Sequence, residues 1–264
     1  TTASNNTGVG YRALYANNSG ASNVAMGESA LASNTTGSFN VGFGREAGFS
    51  NTTASQSTAI GYQALYNNAT ASMTAVGYQA LYANTTGSDN VAVGWQSMYA
   101  NTNGYEGVAL GNQTLYSNTG GQRNTAIGHN VLRSNSTGND NCGVGWYALR
   151  PTTGNSNTAV GSAAGTNITS GAGNSILGYG AGSSLTTGIY SVYIGNSTTA
   201  SSGGASYEVV IGGGAGGSTG KGTTTGYINP NGGGVYQGNN SSSWSTTSDS
   251  VSYTHLRAHE TRED

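Results

Sequence analysis

The residues best equipped for chemistry are few. His255 and His259 stand one helical turn apart with Glu260 beside the second, a spacing that lets a helix present two imidazoles to one metal ion. Their segment is unlike the rest of the chain: His255 to Asp264 holds two of the three His and five of the eighteen charged residues. The run Gly212-Gly213-Gly214-Ala215-Gly216 follows an apolar stretch and could pass for a phosphate-cradling loop, but no Gly-Lys-Ser/Thr ending follows and Lys221 stands by itself, so a turn between coils is the expectation. His129 is the only His ahead of the tail, and Glu28, Glu46, Asp89, Glu106, Asp140, Glu208 and Asp249 are scattered, so no Ser-His-acid set assembles. The same scatter lacks the regular Asp that calcium-binding repeats require. Asn-x-Ser/Thr sequons at Asn34, Asn51, Asn84, Asn135 and Asn196 fall at recurrent turns. A column of Tyr11, Tyr62, Tyr78, Trp95 and Trp146 offers rings that could stack on apolar sugar faces, with Tyr62, Tyr78 and Trp95 as the candidates. Packing between coils or between subunits is the other reading of that column.

What positions these residues is a repeat. Gly10, Gly27, Gly44, Gly61, Gly77, Gly94, Gly111, Gly128, Gly145, Gly161, Gly178, Gly195 and Gly212 follow one another at 16 or 17 residues. Each is preceded by an apolar residue, mostly with Thr or Val two places earlier and Ala or Gly between, a period-2 strand signal. After the Gly comes a second apolar group, as in Tyr62-Gln63-Ala64-Leu65-Tyr66. The i, i+3, i+4 spacing of Tyr62, Leu65 and Tyr66 suits one helical turn, and a second short strand fits as well. Turns such as Asn84-Thr85-Thr86-Gly87-Ser88 close the unit. One unit cannot bury its apolar face alone, whereas stacked units can. The expected fold is therefore all-β, a parallel β-solenoid or β-roll of about thirteen coils over residues 1–216. Val/Ile and Leu columns should form its interior, with Asn stacked at the turns. Residues 217–250, rich in Gly, Ser and Thr, read as a transition or neck, and 251–264 as a tail foreign to the fold.

Composition agrees with a repeat architecture. Of 264 residues 45 are Gly and only 7% are charged, against about 25% charged in ordinary domains. A net charge of −2 gives no attraction for nucleic acid or anionic membrane, and no run of 18 apolar residues would insert in a bilayer. Cys142 is the only cysteine, which excludes an intrachain disulfide. The opening Thr1-Thr2-Ala3-Ser4, without Met or signal peptide, reads as the start of a fragment.

The Asn124-Thr125-Ala126-Ile127-Gly128 run, the Gly61-to-Tyr66 element and the Asn84-to-Ser88 turn resemble the repeats of phage tail fibres. They are also similar to the head repeats of YadA-type trimeric autotransporter adhesins. Ser243-Trp244-Ser245-Thr246-Thr247-Ser248-Asp249-Ser250 resembles the entry to the C-terminal intramolecular chaperone of endosialidase-type tail spikes and fibres. In that family the chaperone trimerises the fibre and cuts itself off just before the Ser that corresponds to Ser248. The family's Arg and Lys after the Ser-Asp pair are replaced here by Val251 and Tyr253, so the resemblance implies no self-processing. Val251 to Thr261 resembles the translated read-through of a sequencing-library adapter, and Val251 to Asp264 is set aside from functional reasoning.

The resemblance implies a structural shaft of a phage tail fibre, located in the virion, that spaces a receptor-binding tip from the particle. It implies a homotrimer and a host surface glycan or receptor as outside partner. The expectation includes no catalysis, no cofactor, no metal, no nucleic acid and no membrane insertion. A bacterial cell-surface trimeric adhesin head and a carbohydrate-binding rod are the alternatives.

Overall fold

The computed structural model describes residues 3–213, 217–229, 234–238, 243 and 245–247. The described residues contain no helix and form a single sheet of 16 strands in sequence order. The strands are β1 (Thr7–Val9), β2 (Val24–Met26), β3 (Val41–Phe43), β4 (Thr58–Ile60), β5 (Thr74–Val76), β6 (Val91–Val93), β7 (Val108–Leu110) and β8 (Thr125–His129). They continue as β9 (Cys142–Trp146), β10 (Thr158–Val160), β11 (Ser175–Leu177), β12 (Val192–Ile194), β13 (Val209–Gly212), β14 (Gly226–Asn229), β15 (Gly234–Gln237) and β16 (Ser245–Thr247). Neighbours from β1 to β14 pair in parallel with every repeat position beneath its equivalent, for example Val91↔Val108 and Ala92↔Ala109. The chain is thus a parallel β-solenoid of about thirteen coils of about 17 residues.

Parallel pairing runs past the end of the sequence periodicity. Val209 pairs with Gly226 and Gly212 with Asn229, so β14 lies within the segment read as a neck. β15 and β16 then add antiparallel to the same sheet.

The strands point the opposite way from the expectation. Their small middle residues face inward, with Ala25, Ala59, Ala75, Ala92, Ala109, Ala126 and Ala159 all buried. The flanking Val and Ile face out: Val9, Met26, Phe43, Ile60, Val93, Ile127 and Val160 are exposed. The reason is width. A coil of 17 residues encloses so narrow an interior that the inward strand side chain meets the opposite wall. At Gly42 even a Cβ would lie 2.9 Å from Leu31 Cγ. The Leu column does lie inside, as expected, with Leu31, Leu65, Leu81, Met98, Leu115, Leu132 and Leu149 buried. Where the inward strand residue grows to Ile176, the Leu position shrinks to Gly165 and Gly182, keeping volume constant.

The segment after each strand is neither helix nor strand. Along Gly61, Gln63 and Leu65 every second residue has positive φ, at 130°, 52° and 51°. Two β-turns result, with Ala64 N–H donating to Gly61 O and Asn68 N–H to Leu65 O. The alternation sends Gln63 N–H to Arg45 O of the preceding coil at 3.0 Å and Leu65 N–H to Ala80 O of the following coil at 3.0 Å. A left-handed non-glycine residue costs about 1–2 kcal/mol, and burying the Leu side chain returns about 1.5–3 kcal/mol. The recurrent Gly has a stricter reason. At Gly44, φ is 129° and a Cβ would stand 2.6 Å from the Gly61 carbonyl oxygen, so the coils approach backbone to backbone.

Two columns of asparagine run through the interior. In one, Asn101 donates to Asn84 Oδ1 and Asn118 to Asn101 Oδ1, each at 2.8 Å, and each also donates to the carbonyl three residues on. In the other, Asn40 Nδ2 donates to Ala54 O at 2.8 Å while its Oδ1 accepts from the Ser57 N–H of the next coil at 3.0 Å. These amides satisfy turn backbone that water cannot reach. Two coils are one residue short, and both omit it at the first column. Asn68 donates to Thr70 O, and Thr152 Oγ1 accepts from Gly154 N–H, each spanning two residues rather than three.

Candidate interaction surfaces

Two outer faces carry the side chains that a partner would meet. The first is the strand face. Its third-position column runs Val9, Met26, Phe43, Ile60, Val76, Val93, Leu110, Ile127, Val144, Val160, Leu177, Ile194, Ile211 and Ile228, apolar at every rung. Beside it lies a column mostly of Val and Thr, with Ser175, Gly226 and a half-buried Cys142 at single rungs. The 14 parallel strands give 13 intervals of about 4.8 Å, so the face is about 62 Å long.

The second is the turn face, built of ladders. Phe49, Tyr66, Tyr82, Tyr99 and Tyr116 stack at centroid separations of 5.1–5.2 Å with planes 6–15° apart. The Arg133 guanidinium sits 4.9 Å from the Tyr116 centroid at the far end. Near this ladder runs a chain of amides: Gln63 Nε2 donates to Glu46 at 2.7 Å, Gln79 to Gln63 at 2.9 Å, Gln96 to Gln79 at 3.0 Å and Gln113 to Gln96 at 3.2 Å. Arg133 Nε donates to Gln113 Oε1 at 3.1 Å. The rings at 49, 66, 82, 99 and 116 keep the repeat spacing, which is the only trace this ladder leaves in the sequence.

Tyr62, Tyr78 and Trp95 do come together. Tyr62 and Tyr78 stack at 5.2 Å, Tyr78 and Trp95 at 6.4 Å, and Arg45 Cζ lies 5.8 Å from the Tyr62 centroid. The Tyr62 ring thus lies between Arg45 and Tyr78, and the Tyr78 ring between Tyr62 and Trp95. Tyr11 stands apart from them, and Trp146 stacks on Tyr147 at 3.7 Å instead.

The sequons at Asn34, Asn51, Asn84 and Asn135 are closed to modification in this fold, because these residues belong to the interior column. Asn196 is exposed. His129 pairs with Trp146 across β8 and β9, and its Nδ1 lies 3.0 Å from Asn130 Nδ2. Ser248, Asp249 and the His255–His259–Glu260 motif lie outside the described residues. Among the described residues no three His, Cys, Asp or Glu gather into a metal-binding group, and no helix is long and apolar enough to cross a membrane.

Among the described residues one acidic group is interior. Glu208 replaces Asn in the second column, where its carboxylate accepts from Tyr193 Oη at 2.9 Å, Ser201 N–H at 3.1 Å and Gly222 N–H at 2.8 Å. Burial first, and the Glu208 carboxylate second, push the Tyr193 phenol above its usual pKa. On the surface, Arg123 and Asp140 form a two-pronged pair at 2.7 and 2.9 Å.

Compared with known proteins, the chain matches no family model, no curated protein and no solved structure.

Proposed function

We propose that this chain is the shaft of a phage tail fibre, a passive homotrimeric rod that spaces a receptor-binding tip from the virion. The observation that supports the reading best is the strand face. Monomeric soluble proteins rarely leave an apolar patch of more than a few hundred Å² open to water, and this one follows the whole solenoid. A column with one apolar residue per rung is matched most closely by another column of the same pitch, which a second copy of the chain supplies. Parallel, in-register packing of three copies would cover the column on each. Ladders of backbone and amide hydrogen bonds along the axis would give the assembly stiffness, and the rod itself does no chemistry.

Light scattering on the full chain, with circular dichroism on the same sample, tests this. A β-rich trimer is the expected result, and Ile60→Lys with Ile127→Lys should release folded monomers. In-register copies bring Cys142 to the same rung, so mild oxidation should give a covalent dimer on a non-reducing gel. A folded wild-type monomer without that crosslink would overturn the trimeric shaft.

A further inference from the structure

The stacked tyrosines place oxidisable rings in direct sequence along the axis. Tyr66, Tyr82, Tyr99 and Tyr116 occupy equivalent positions of successive coils, and each neighbouring pair is 5.2 Å apart with planes 7–15° apart. Phe49, which has no phenol to oxidise, closes one end, and the Arg133 guanidinium closes the other. All four rings are half-buried, open at their edges to a small oxidant. Hydrogen-bonded coils hold the pairs in place, so a radical formed on one ring already has its reaction partner beside it.

The geometry points to an oxidative crosslinking site: under a one-electron oxidant, neighbouring ladder tyrosines of one chain couple to dityrosine and staple successive coils covalently. In the step, each of two phenols gives one electron to the oxidant and its hydroxyl proton to water. The two phenoxyl radicals join through a carbon ortho to each oxygen. The ring hydrogens at the joined carbons then return to the oxygens as the rings regain aromaticity. The pair loses two electrons and two protons overall and keeps both hydroxyls. Persulfate, as terminal acceptor, takes the two electrons and becomes two sulfates.

The inference does not depend on the rod's oligomeric state, because the bond lies within one chain. The test irradiates the dilute full chain with a ruthenium tris-bipyridine photo-oxidant and persulfate. Dityrosine fluorescence should appear in chains that still run as monomers under denaturing conditions and are lighter by two hydrogens per bond. Peptide mapping should place the bonds between ladder neighbours, Tyr82–Tyr99 among them, and the unfolding midpoint should rise. Tyr82→Phe with Tyr99→Phe keeps the ring stack, as Phe49 does, but leaves Tyr66 and Tyr116 too far apart, so the yield at the ladder should fall several-fold. Tyr11→Phe with Tyr179→Phe, both off the ladder, should leave it unchanged. Bonds mapped chiefly to tyrosines that are not stacked on one another, product found only between chains, or equal ladder yield from the double Phe variant would each overturn the proposal. Mapping the wild-type product decides the matter even if the variant folds poorly.

Discussion

Glu46 and Arg133 are separated by 87 positions in the sequence, yet a single line of four glutamine amides joins them. Each amide donates towards Glu46 and accepts from the Arg133 side. The amide dipoles are therefore aligned, with a carboxylate at their donor end and a guanidinium at their acceptor end, the arrangement in which hydrogen bonds polarise one another. Gln96→Glu breaks one link, because a carboxylate cannot donate to Gln79 Oε1. The variant should lose about 1–2 kcal/mol in urea unfolding near neutral pH. The neutral acid can donate, so folding holds the introduced carboxyl's pKa above its unfolded value of about 4.3. Its deficit should shrink as pH falls towards that value, while that of Gln96→Ala should not.

Tyr193 gives the solenoid a limit at high pH. Its folded pKa is raised, so the folded state holds the phenol proton more tightly than the unfolded state. That contribution is complete below the unfolded pKa of about 10 and is lost as pH rises beyond it, by up to about 1.4 kcal/mol per pH unit. Tyr99 is shifted in the same direction, by burial first and then by its ladder neighbours. Thermal unfolding scanned from pH 8 to 11.5 should show the decline, and Tyr193→Phe should flatten it. The same variant should cost about 1–3 kcal/mol at neutral pH, because Glu208 loses one donor.

The recurrent glycine that ends each strand admits no side chain. Gly44→Ala forces a side chain into a φ of 129° and into the Gly61 carbonyl, and should cost at least about 3 kcal/mol. Gly213→Ala meets nothing within 4 Å and should change stability by less than about 0.5 kcal/mol. Paired denaturation curves of the two variants distinguish a steric column from mere glycine richness.

Asn101 tests the interior amides. Asn101→Ala removes the acceptor of Asn118 Nδ2 and the donor to Asn84 Oδ1 and Gly104 O. Each buried group left unpaired costs about 1–3 kcal/mol, so unfolding should come markedly earlier. Combined with Asn118→Ala, the loss should be less than additive, because the two amides share a bond.

The repeat, the parallel register and the coil length were legible because the Gly at 44, 61, 77 and 94 and the Val-Ala-Val or Thr-Ala-Ile runs recur with fixed spacing. Which side of the strand is interior was not. Period-2 alternation defines two faces without saying which is enclosed, and hydrophobicity alone favours putting Ile60 inside and Ala59 outside. Only the width of a 17-residue coil reverses the choice. The Tyr62–Leu65–Tyr66 spacing pointed towards a helical turn because it reports which side chains share a side, and alternating φ at Gly61, Gln63 and Leu65 satisfies it too. Stacking of Tyr62, Tyr78 and Trp95 was foreseeable from their spacing. That the stack encloses Tyr78 on both faces was not, since ring orientation is set by the neighbouring coil.

The two short coils show how the molecule treats a change in its own length. Dropping one residue beside Asn68 or Thr152 leaves every other column in step, because each coil answers only to the one above and the one below. Adding or removing an entire coil disturbs still less. The gene can therefore lengthen or shorten this solenoid by copying or deleting one repeat of codons, in increments of about 4.8 Å, with no new contact to invent.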